Sequence, residues 1–96
     1  MNPDHRIIKL AQVLVQYSLE IKEYEKVYIN GSIASESLLR ELYKEVLRAG
    51  GHPRINIGFE DQQYLFYSLA KDFQLEYSDP FLLYEMENID AAIQLM

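Results

Sequence analysis

Between residues 5 and 19 apolar side chains recur with a helical period. Ile7, Leu10, Ala11, Leu14 and Tyr17 share one side, and Ile8 and Val15 widen the stripe, so the segment predicts a helix with one buried face. Asn2 is read as its N-cap, Pro3 suits the first helical position, and Asp4 complements the positive end of the dipole. Residues 20–26 are polar and loosely patterned, a connection rather than an element. Val27-Tyr28-Ile29 is a β-branched and aromatic run that predicts a strand, with Asn30-Gly31-Ser32 as the turn after it. The 3.6-residue period returns at Leu38, Leu39, Leu42, Tyr43, Val46 and Ala49, with Ser32 or Ser35 as cap. Glu41 and Glu45 are placed opposite that stripe, Glu41 in reach of Lys44. Arg48 suits the negative end, and Gly50-Gly51 supplies the left-handed stop.

His52-Pro53 leads into a second alternating run, in which Ile55, Ile57 and Phe59 are separated by polar or small residues. Strand, amphipathic helix and strand in some thirty residues form a βαβ unit, which makes its strands parallel. Residues 60–70 and 71–77 predict helical pieces. Asp79-Pro80 is a start signal for another helix, an acceptor at the N-cap with proline at the first helical position. Residues 89–96 read as a third strand. The expected fold is therefore α/β: one small three-layer domain over residues 1–96, with a parallel sheet of about three strands, flanking helices and a βαβ core. A strand running to the last residue with no cap or return element suggests the front of a longer protein.

Composition narrows the function. The net charge is −6, from 15 acidic and 9 basic residues, and the basic ones are scattered among carboxylates. Nucleic-acid binding needs a basic face, so that class is set aside. No apolar run approaches a membrane span, and no secretory signal opens the chain. Cysteine is absent, which in so small a domain favours a reducing, cytoplasmic setting.

Candidate chemistry is thin. His5 and His52 are the only histidines and lie far apart, so no metal-ligand spacing exists; the first reads as a solvated or capping residue, the second as a turn residue. Most carboxylates fall on polar helix faces, where charge is solvated, and Glu85 and Glu87 of the late cluster with Asp90 point apart. No Gly-x-Ser-x-Gly, GxGxxG or GxxxxGKS pattern is present. Catalytic, metal and cofactor-binding residues are therefore assigned to none. Asn30, Gly31 and Ser32 remain as a substrate-facing loop, because the carboxyl ends of parallel strands line ligand sites in α/β folds. Among the eight tyrosines, Tyr17, Tyr43, Tyr67 and Tyr84 lie on apolar helix faces and suit core, interdomain or dimer packing.

Three blocks in order, IKLAQVLVQYSL at residues 8–19, KVYINGS at 26–32 and LLRELYKEVLRAGGHP at 38–53, resemble the amino-terminal region of the thermophilic-type metallo-aminopeptidases, the aminopeptidase T family. Phe66-Tyr67 and Leu75-Glu76-Tyr77 fit as well. The similarity runs across nearly the whole chain but only the front part of such an enzyme, and no block is a catalytic signature. The resemblance implies a parent that removes amino-terminal residues from peptides with two divalent metal ions, whose ligands lie in a carboxyl-terminal part with no counterpart here. For this chain it implies a scaffold that packs against the catalytic domain of the same parent, helps enclose the peptide substrate, and belongs to a homodimer. On its own the chain is expected to be inactive. The rival readings are a short dimerisation or ligand-binding module without catalysis, and a small α/β enzyme of unrelated chemistry.

Overall fold

A computed structural model describes residues 4–95. The Asn2 and Pro3 assignments lie outside the described residues. Helix α1 spans His5–Val13, and its N-cap is Asp4, whose carboxylate accepts the Arg6 N–H at 2.7 Å. A π turn, Leu14–Ser18, ends it, with the Leu19 N–H donating to the Leu14 carbonyl at 2.9 Å. Strand β1 is Lys26–Ser32, followed by a 3₁₀ turn, Ile33–Ser35, and helix α2, Glu36–Arg48. Strand β2, His52–Gly58, precedes three helices: α3 (Gln62–Leu69), α4 (Asp72–Leu75) and α5 (Pro80–Asn88). Strand β3, Ala91–Gln94, closes the order.

The sheet runs β2-β1-β3 and is parallel throughout. Register fixes its two faces. Val27, Ile29 and Gly31 pair with Pro53, Ile55 and Ile57, and on the other side Val27 and Ile29 pair with Ala91 and Ile93. This row faces α1 and α2 and joins Ala11, Val15, Leu39, Leu42 and Val46 in the core. The opposite face carries Tyr28, Asn30 and Ser32, and α5 lies over its amino end, with Glu85 reaching Arg54. The layers are thus helix pair, sheet and a thin third layer, the three-layer α/β arrangement expected, around a parallel βαβ core.

Helix α2 ends as its glycines predicted. Gly51 donates to the Val46 carbonyl at 2.9 Å and Gly50 to the Leu47 carbonyl at 3.0 Å, the Schellman arrangement. Gly50 stands at φ +86°, and a β-carbon there would meet Glu23 Cγ at 2.6 Å.

Four expectations are corrected. Asn30-Gly31-Ser32 is strand, not turn, because β1 stays paired with β2 as far as Ser32 opposite Gly58. His52 likewise opens β2 instead of lying in a turn, its N–H donating to the Glu25 carbonyl at 2.7 Å. Glu41 and Glu45 are not on a solvated face: both are buried, at 4% and 3% exposure, with Lys44 and Arg48 pairing to them. Core packing is also excluded for Tyr17, Tyr43, Tyr67 and Tyr84, all of which are exposed. The core is too small to receive them, since α1 contributes only Ala11 among its buried residues.

Candidate functional site

Backbone alternation divides the Asn30-Gly31-Ser32 triplet. Gly31 turns toward the core, where an added β-carbon would meet Leu39 Cδ2 at 3.0 Å, so its job is to let α2 approach the sheet. Asn30 and Ser32 turn the other way, onto the polar face. There the Asn56 Nδ2 donates to Asn30 Oδ1 at 3.1 Å. Asn30 is in register with Asn56 on one side and Gln94 on the other, which sets three carboxamides side by side across the sheet. Sequence reading missed Asn56 and Gln94, since strand order and register are not local properties.

Position in the topology adds to this. The chain leaves β1 for β2 on one side and reaches β3 on the other, so the carboxyl ends of β1 and β3 flank a switch point, where open α/β sheets form a crevice. Asn30 and Gln94 are the paired residues at that end. The turn that follows is not arranged to hold an anion: neither the Ser32 nor the Ser35 hydroxyl caps, and Glu36 sits in the first turn of α2.

Toward the amino ends of the strands the same face is charged but balanced. Arg54 Nε lies 3.1 Å from both carboxylate oxygens of Glu85. Tyr28, on β1 beside Arg54, has its hydroxyl pKa raised above the ordinary tyrosine value, first by burial and then by the Glu85 charge. The late acidic cluster is therefore split between structural roles, because Asp90 accepts the Lys26 N–H at 2.8 Å while Glu85 serves Arg54.

The described residues do not form a two-metal centre. Among the described residues no three His, Asp or Glu side chains converge. His5 begins α1 and His52 begins β2, both exposed. Glu41 and Glu45 lie one turn apart on α2, and each already holds a cation. The burial of Glu45 had a readable signal. Glu45 and Leu39 are each three residues from Leu42, so each lies about 60° from it around the helix.

The family model for the thermophilic metalloproteases (M29) matches residues 3–96. The chain belongs to that family. No curated protein matches it. Among solved structures, wild-type AmpT from Thermus thermophilus is similar, with TM-score 0.66 and 22% identity over 83% of this chain. The chain spans only 20% of that protein, and the likeness establishes the shared fold of this part. The described residues thus supply a sheet with one filled face and one largely open polar face, and hold no metal ligand set.

Proposed function

We propose that this chain is the amino-terminal scaffold of a metal-dependent aminopeptidase, packing against the catalytic part of its parent and helping to enclose the peptide substrate. The parent removes amino-terminal residues from peptides with two divalent metal ions held by that catalytic part, and this chain alone is inactive. Membership of the thermophilic metalloprotease family carries the reading. The surface supports it. From residue 59 to residue 90 no side chain is buried, although α3 and α5 are apolar around most of their circumference. Helices apolar on all sides belong inside a larger assembly. Phe66, Leu69, Phe73, Phe81, Leu83 and Tyr84 are between 47% and 82% exposed, apolar surface of the kind that marks an interaction site.

The same uncovered surface supports the second reading, a stand-alone module that dimerises. Homodimerisation of the parent and a cytoplasmic location belong to the proposal too, the latter resting on the absence of cysteine. One experiment separates the readings. The chain alone, given cobalt or zinc and an aminoacyl chromogenic substrate, is expected to show no turnover. Fused in place of the corresponding fifth of AmpT, it is expected to support metal-dependent hydrolysis, while the remaining AmpT chain without it does not. Metal-dependent cleavage by the isolated chain would overturn the division of labour, and a silent, well-folded fusion would favour the module.

A further inference from the structure

The polar face of the sheet carries a feature that packing does not require. Central strands of parallel sheets are ordinarily apolar on both faces, yet the second face of β1 reads Tyr28, Asn30, Ser32. At one level of that face all three strands present a carboxamide: Asn56, Asn30 and Gln94, in register. With strands about 4.8 Å apart, the row is roughly 10 Å long, the reach of three extended residues. Toward the amino ends the same face carries Tyr28 and Arg54, and toward the carboxyl ends Ser32 and Gly58, so the row is flanked by small residues on its carboxyl side. It also lies at the switch point between β1 and β3.

We infer that Asn56, Asn30 and Gln94 form a binding row for the main chain of a peptide substrate. This rests on the peptidase reading above and names the substrate atoms that the scaffold would hold. Charge decides the ligand class. The row holds no ionised group, and the nearest cation on β2, Arg54, is already neutralised by both oxygens of Glu85. Such a surface offers no countercharge to a free ammonium or carboxylate. A carboxamide presents an acceptor and two donors on one side chain, so it can answer both the N–H and the carbonyl of a peptide group. Asn56 spends one donor on Asn30 Oδ1 and its side chain also bonds the Tyr28 hydroxyl, which fixes the orientation of the amides and leaves both Asn30 donors for a carbonyl. Recognition of this kind reads the backbone and not the side chains, which suits an enzyme that must accept successive residues of differing identity.

The test titrates acetyl-Ala-Ala-amide into the isotopically labelled chain and follows the side-chain NH₂ resonances. Those of Asn30, Asn56 and Gln94 are expected to move together and saturate. Asn56→Val and Gln94→Val place good strand formers on exposed edge positions, and each is expected to weaken binding at least about fivefold, the loss of one hydrogen bond of roughly 1 kcal/mol. A dispersed amide spectrum checks that each variant is folded. Shifts confined to other surfaces, or binding unchanged in both folded variants, overturn the row. In the AmpT fusion the double variant is expected to raise KM more than it lowers kcat. A fusion that hydrolyses peptides with unaltered KM sinks the row and leaves the scaffold reading standing. A fusion that is inactive from the start sinks the scaffold reading, and the titration still decides the row.

Discussion

Tyr28 shows how one side chain reports the state of the open sheet face. Its hydroxyl is held neutral beyond the ordinary range by burial and by the nearby Glu85 carboxylate. The folded pKa is therefore above the unfolded value of about 10. The sign follows: stability from this group is complete below the unfolded pKa and is lost as pH rises through the folded one, because the unfolded chain releases the proton first. Chemical denaturation between pH 9 and pH 12 (roughly the window set by the unfolded value) is expected to show a steeper decline for the native chain than for Tyr28→Phe. Equal slopes would mean that Tyr28 is as solvated as the exposed tyrosines. Glu41 and Glu45 make a related point. Charges can lie inside the helix–helix contact provided Lys44 and Arg48, one turn later, remain on the rim.

At the scale of the element, local signals and their tertiary fulfilment can be compared directly. Gly50-Gly51 and Asp79-Pro80 were legible because each satisfies backbone groups within one turn. The Asp79 carboxylate accepts the Phe81 N–H at 2.9 Å, with Pro80 at the first position. Gly50→Ala tests the stop of α2. It must hold φ near +86° with a β-carbon and displace Glu23, so a loss of about 1–2 kcal/mol is expected, lowering Tm by roughly 4–16 °C. An unchanged Tm would show that the connection to β2 can re-form without a left-handed residue. The end of β1 was not legible in the same way. Asn-Gly-Ser carries the composition of a turn, and only pairing with β2 along its whole length keeps it extended.

The whole molecule is unevenly built. Its core holds α1, α2 and the sheet, while α3, α4 and α5 contribute no buried residue. Local stability follows buried contact, so amide hydrogen exchange of the isolated chain is expected to rank the two regions sharply. Val27 and Ile29 in β1 should exchange at least about 100-fold more slowly than Leu65 or Leu83 (some 2.8 kcal/mol of extra opening free energy at about 1.4 kcal/mol per tenfold). Comparable protection in α3 and α5 would show that this surface is already covered, as by self-association.

The order of elements, the parallel βαβ unit and the acidic, cysteine-free character could be read from residues in sequence, because periodicity, capping and composition are properties of neighbours. So could the ordered blocks that resemble the metallo-aminopeptidases, which the family match bears out over residues 3–96. Strand order could not, and with it went everything that depends on register. The sheet order β2-β1-β3 is what sends Gly31 to the core and Asn30 to the open face, brings Asn56 and Gln94 beside it, and leaves the tyrosines of apolar helix faces in solvent. Those are facts about residues tens of positions apart, set by which surfaces meet once the chain has folded.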